Sequence, residues 1–122
     1  MKPHRTGEGR LDRLRDELRR FAAERDWDQF HTPKNLAMAL AGEAGEVIEH
    51  FQWLTPEQSA KLDVATRNEV AEELADVLLY LVRLADVLEI DLAGAAVRKM
   101  AINAVRYPVD KARGRADKHD RL

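Results

Sequence analysis

The chain has 122 residues, enough for one domain with one core. Apolar residues make up 45% and charged ones 34%, which excludes a disordered chain, and a net charge of −2 argues against a nucleic-acid polymer as partner. The absence of cysteine excludes disulfides, thiol nucleophiles and zinc–thiolate sites, and no apolar run approaches the ~20 residues that span a membrane.

Residues 1–9 are mostly polar, with Pro3, Gly7 and Gly9, and predict a mobile arm without a signal-peptide core. A cytoplasmic location is therefore the expectation. From Arg10 to about Arg25, Leu11, Leu14, Leu18, Phe21 and Ala22 recur on one face and predict an amphipathic helix. Asp26 to His31 breaks the period and puts Trp27, Phe30 and His31 on a loop.

Thr32-Pro33 is a helix start, a hydroxyl at the N-cap followed by proline at the first helical position. The second helix is predicted from Pro33 to about Trp53, with Leu36, Leu40, Val47 and Phe51 on its apolar face. Gly42 and Gly45 each cost it about 1 kcal/mol against Ala, which either close approach of another helix or a lack of demand on stability at this point would account for. Thr55 with Gln58 spells a capping box for a short helix to about Lys61. Asp63 or Thr66 caps a third main helix to about Leu88, with the stripe Leu74, Val77, Leu81, Leu84 and Leu88. Asp91 caps a fourth, from about Leu92 to Tyr107, with Ala96, Val97, Met100 and Ala104 apolar, and Pro108 stops it. Residues 109–122 form a weakly basic tail, either solvated or ordered over a bound polyanion.

No stretch alternates with period two, so the fold class is all-α, a four-helix bundle protomer over residues 10–108. Broad apolar faces on such short helices predict an oligomer.

The acids carry the chemistry. Glu43 and Glu46 stand three apart on the second helix, and Glu73 and Asp76 repeat that spacing on the third. At 100° per residue, the apolar centres lie roughly 70° from Glu43 and roughly 75° from Glu73, so both pairs border the buried stripe in the same sense. If the two helices pack together, four carboxylates converge at the core edge. They would repel unless a cation sits among them or some are protonated, and hard oxygen donors favour Mg²⁺ or Mn²⁺. A di-iron site would want Glu-x-x-His on two helices, but His50 follows Val47 rather than a Glu at that spacing, and the third main helix has no His. Acid pairs at i, i+3 also occur on solvated faces, so spacing alone leaves both readings open.

Lys99, Asn103 and Arg106 share a face of the fourth helix and could grip phosphate oxygens, although such a face is also ordinary solvated surface. Tyr80 stands one turn beyond Asp76, and Tyr107 ends the fourth helix. Trp27, Phe30 and Trp53 could stack a base or pack in the core, and His31 could hydrogen-bond a substrate or close its loop.

These residues together resemble the MazG-type all-α nucleoside triphosphate pyrophosphohydrolases, whose motif Glu-x-x-Glu…Glu-x-x-Asp reads here Glu43, Glu46, Glu73 and Asp76. Within that family the chain is most similar to the dCTP pyrophosphatase branch. The likeness lies in Phe21 to Trp27 with Gln29-Phe30-His31, in Gly42-Glu43 through Phe51-Gln52-Trp53, and in Lys99-Met100 with Ile102-Asn103 and Arg106-Tyr107-Pro108. The resemblance covers residues 11–113. It implies hydrolysis of a nucleoside triphosphate between the α and β phosphates, giving a monophosphate and pyrophosphate. It also implies Mg²⁺ on Glu43, Glu46, Glu73 and Asp76, a base pocket that includes Trp27 and Trp53, and substrate contacts from Tyr80, Lys99, Asn103 and Tyr107, to which the residue patterns add His31 and Arg106 as candidates. A homodimer, paired into a tetramer, completes the implied assembly. One position departs: mammalian members of the branch carry His three residues before the Phe-Ala-Ala segment, and here that residue is Leu18. The phosphate chemistry is therefore better founded than the choice of dCTP. A dUTP or broad-specificity pyrophosphatase is the alternative within the class, and a helical interaction module the alternative outside it.

Overall fold

The computed structural model describes residues 9–122, so the expected N-terminal arm lies almost wholly outside the described residues. The described residues form no strand. They form six α-helices: α1 (Arg10–Glu24), α2 (Pro33–Glu49), α3 (Pro56–Ser59), α4 (Val64–Val87), α5 (Leu92–Arg106) and α6 (Val109–Ala112). The four long helices are those expected, and α3 follows from its capping box. The fourth-helix boundary holds to within a residue. The sixth helix was not anticipated. The chain divides into two compact units, one up to Ile90 and one of Asp91–Leu122.

Side-chain caps start α2, α3, α4 and α5. Thr32 Oγ1 accepts from the Asn35 N–H at 3.2 Å, with Pro33 at the first position of α2. Thr55 and Gln58 exchange bonds of 3.0 and 3.1 Å at the start of α3. Asp63, rather than Thr66, caps α4, accepting from the Thr66 N–H at 2.7 Å. Asp91 accepts from the Gly94 N–H at 3.1 Å at α5. Each such cap satisfies a backbone donor that the helix leaves orphaned, and is worth about 1 kcal/mol.

The ends of α1 and α4 are built alike. At α1 the Trp27 N–H donates to Ala22 O at 2.8 Å and the Asp26 N–H to Ala23 O at 3.1 Å. At α4 the Ile90 N–H donates to Ala85 O at 2.8 Å and the Glu89 N–H to Asp86 O at 3.0 Å. Both motifs need a left-handed residue, supplied by Asp26 (φ 54°) and Glu89 (φ 57°) where glycine is the usual choice. The first motif throws the chain into a 3₁₀ turn, Asp28–Phe30, that carries the aromatic loop.

The second helix ends at Glu49, four residues before the expected Trp53. Three-residue bonds take over, with His50 N–H to Val47 O at 3.2 Å and Phe51 N–H to Ile48 O at 2.9 Å. The tightening turns the chain toward Thr55, which is extended (ψ 161°) as a residue before proline must be.

In the first unit α4 packs most extensively on α2 and also on α1. Ala22, Leu36, Val70, Val82 and Ala85 are buried, and Leu36 at 2% exposure contributes about 2 kcal/mol. The expected stripe on α4 is corrected here. Leu74, Leu81 and Leu88 are exposed, while Val77 and Leu84 are half-buried. From Leu74 to Leu88 this helix is apolar nearly all round, and α1 and α2 can cover only one side of it. At Gly42 and Gly45 a Cβ would meet nothing within 4 Å among the described residues, so close approach of another helix within them does not account for either glycine.

In the second unit α5 buries none of its residues. The stretch expected as a tail is partly folded, with the one-turn α6 and a 3₁₀ turn at His119–Arg121. Tyr107 meets His119 edge to face at 5.8 Å, and Arg115 Nε donates to Asp117 at 2.8 Å.

Candidate active site

The packing of α2 on α4 sets the acids face to face. Glu43, Glu73 and Asp76 offer one carboxylate oxygen each, all within 4.8 Å of one another. Glu46, expected as the fourth ligand, is exposed and lies outside this group, although it acts on the carboxyls of Glu43 and Glu73. Glu43 Oε2 and Glu73 Oε2 are buried without a hydrogen-bond partner among the described residues. Two orphaned buried carboxylate oxygens are costly unless something absent from the chain satisfies them.

The electrostatics agree. Desolvation holds the Glu43 carboxyl above its ordinary value, reinforced by the charges of Glu46 and Asp76 and a hydrogen bond with Glu46. The Glu73 carboxyl is raised chiefly by its hydrogen bond with Glu46, then by desolvation and the charges of Glu46 and Glu43, while His50 opposes the shift. Without a cation these two acids hold their protons to higher pH than usual; with one, the same oxygens become a ligand set. All donors in the cluster are oxygens, which suits a hard divalent ion. Three converging oxygens can hold one metal ion.

Sequence reasoning did not assign His50. It stands just past α2, with Nε2 3.9 Å from Glu73 Oε1 and Nδ1 3.9 Å from Glu69 Oε2. Tyr80 follows Asp76 by one turn of α4 and is half-buried. Trp53 lies in the turns after α2 and is 86% exposed, so it takes no part in the core. Trp27 is 43% exposed and meets Phe21 edge to face at 5.6 Å and the His31 ring at 6.2 Å. In the second unit Lys99, Asn103 and Arg106 are exposed on α5, and Tyr107 caps its end.

The aromatic loop is anchored by residues the sequence reading passed over. Arg83, only 8% exposed, donates from Nη2 to Asp28 Oδ1 at 2.7 Å and from Nε to His31 Nδ1 at 3.1 Å. Its Nη1 reaches Asp86 Oδ2 at 3.4 Å. Asp86 in turn accepts two bonds from Arg19 of α1, one at 2.7 Å. The Arg19 hydrogen bond, followed by the charges of Arg19 and Arg83, holds the Asp86 carboxyl below its ordinary value. The available signal was a guanidinium inside the apolar run Val77–Leu84.

Residues 39–122 match the model of the MazG-like family. The chain is 45% identical to dCTP pyrophosphatase 1 of Bos taurus over 119 residues, covering 96% of this chain and 70% of that one. It is 49% identical to dCTP pyrophosphatase 1 of Homo sapiens over 104 residues, 84% of this chain. The chain spans 61% of the length of that human relative. Among solved structures, a pyrophosphatase from Archaeoglobus fulgidus superposes with a TM-score of 0.78 at 39% identity, covering 88% of this chain and 98% of that one.

Proposed function

The chain belongs to the MazG-like family, and on that footing we propose that it is a nucleoside triphosphate pyrophosphohydrolase converting dCTP to dCMP and pyrophosphate. Sanitation of the nucleotide pool is the corresponding role. The observation that carries this reading is the cluster of Glu43, Glu73 and Asp76 with its two orphaned oxygens, to which we add Glu46, one turn along α2 from Glu43. Mg²⁺ is the ion of choice for such an oxygen set, with Mn²⁺ as substitute. When bound it supplies neutralisation of the triphosphate and polarisation of the α-phosphorus.

The chain's own residues do the rest. Water adds in line at the α-phosphorus, and Glu43 is our choice to accept its proton, at the buried and unpartnered Oε2. The bond from the α-phosphorus to the bridging oxygen breaks, and pyrophosphate leaves. Lys99 and Arg106 offer charge to the departing phosphates, and Asn103 an amide donor. Trp27 and Trp53 are the base platforms, with His31, Tyr80 and Tyr107 as further contacts. A homodimer, itself paired, is the proposed assembly. It would cover Met38, Ile48 and Leu74, which are 64, 59 and 53% exposed.

Leu18 favours a second reading, a dUTP or broad-specificity pyrophosphatase, because its half-buried side chain offers no hydrogen bond to a base. Glu43→Gln and Asp76→Asn, assayed for pyrophosphate release from dCTP with Mg²⁺, should each lose activity by two orders of magnitude or more, on the order of the loss when a charge-stabilising group is removed. Full activity in either variant would sink the site. A panel of natural and modified deoxynucleotides separates dCTP from the second reading. Failure to bind both Mg²⁺ and a non-hydrolysable nucleotide would leave a helical interaction module.

A further inference from the structure

We infer that Arg83 is a positioning residue that locks His31 in its neutral, Nε2-protonated tautomer and fastens the Trp27–His31 loop as a preformed base-binding element. The inference rests on the reading of that loop as a base platform.

The geometry leaves one tautomer. Arg83 is a guanidinium and can only donate, so His31 Nδ1, 3.1 Å from Arg83 Nε, must accept. The ring proton then sits on Nε2, which becomes a hydrogen-bond donor free of Arg83. Burial, aided by the Arg83 charge and opposed by that of Asp28, lowers the affinity of His31 for a second proton, which favours the neutral ring. An Nε2–H donor suits an acceptor such as a carbonyl or ring nitrogen on a pyrimidine.

Arg83 also fixes where that donor stands. Its three donor groups reach His31, Asp28 and Asp86, and so pin both ends of the 3₁₀ turn to α4. Asp86 is held in turn by Arg19 on α1. Trp27, whose ring lies 6.2 Å from His31, directly precedes the anchored Asp28. The loop therefore need not be ordered by the nucleotide, and the binding-competent fraction of the free protein stays high. Lysine cannot replace this planar fork, because one ammonium cannot reach three acceptors on different sides.

Two measurements test this. In nucleotide-free protein, long-range ¹H–¹⁵N correlation should show His31 with protonated Nε2 and bare Nδ1. Arg83→Met should convert this to a mixture of tautomers. In the assay, Arg83→Met and Arg83→Lys should raise KM for dCTP about tenfold, with kcat changed less than threefold. Asp28→Asn, at a largely exposed carboxylate whose loss does not threaten folding, should raise KM in the same direction. A protonated Nδ1 in the wild-type protein overturns the lock. So does an unchanged KM in all three variants when Trp27→Ala, run alongside, raises KM. An unchanged KM in Trp27→Ala removes the base-platform reading itself, and the tautomer measurement, made without nucleotide, still decides the Arg83–His31 pairing.

Discussion

Mg²⁺ should stabilise the folded protein, and the size of the effect can be set in advance. Glu43 and Glu73 hold protons to higher pH when folded than when unfolded. In the metal-free protein their contribution is therefore full below pH 4.5, their ordinary value, and is lost as pH rises through the raised folded value. Asp63 and Asp86 act in the opposite sense, but their ordinary value is 3.8 and their contribution is lost only as pH falls below it, outside this window. At about pH 7.5 the metal-free site thus opposes folding, and a cation removes the opposition. At a free Mg²⁺ concentration of about one hundred times Kd, linkage adds about 2.7 kcal/mol. A chain of 122 residues has an unfolding entropy of about 0.26 kcal/mol/K, so Tm should rise by about 10 °C. Differential scanning calorimetry of chelator-treated protein, with and without Mg²⁺, measures this. Glu73→Gln should raise the metal-free Tm at about pH 7.5, bring no gain near pH 4.5, and largely abolish the Mg²⁺ effect. A wild-type Tm indifferent to millimolar Mg²⁺, or a Glu73→Gln variant with the same Mg²⁺ response, would refute the reasoning.

Trp53→Ala should leave Tm unchanged, because the side chain is 86% exposed, yet weaken nucleotide binding by about 1–3 kcal/mol, read from fluorescence-independent calorimetric titration. Leu36→Ala removes the most deeply buried large side chain and should cost about 3 kcal/mol in urea unfolding, with the m-value retained. Glu89→Gly relieves a left-handed glutamate and should stabilise the protein by about 1 kcal/mol, raising the urea midpoint without altering activity.

The helix starts were legible because their signals are local. Thr32-Pro33, Thr55 with Gln58, and Asp91 each complete a bond within three residues, so no distant contact enters the reading. The meeting of Glu43 with Glu73 and Asp76 was legible for a related reason: two helical periods, each with its acids beside its apolar face, admit few ways of packing. The exposed Leu74, Leu81 and Leu88 were not. A helix apolar nearly all round satisfies any stripe drawn on it, and the neighbour alone decides which side is covered. Arg83 was missed because its partners Asp28 and His31 lie more than fifty positions away along the chain, where spacing carries no information. The early end of α2 escaped notice because Phe51 and Trp53 continue the apolar character of the helix through a turn the backbone has already left.

The bare surface of α5 has a kinetic consequence. None of its residues is buried, and Val97, Met100 and Val105 are 69, 74 and 81% exposed. Fifteen residues is close to the length, about 12–15, at which an isolated helix is marginal in water. The helix that offers Lys99, Asn103 and Arg106 therefore depends on whatever covers it. If a second copy of the chain does so, subunit concentration becomes a variable of the rate law. Specific activity should then decline on dilution below the dissociation constant of the assembly, recover with second-order kinetics on reconcentration, and track the helical circular-dichroism signal in both directions.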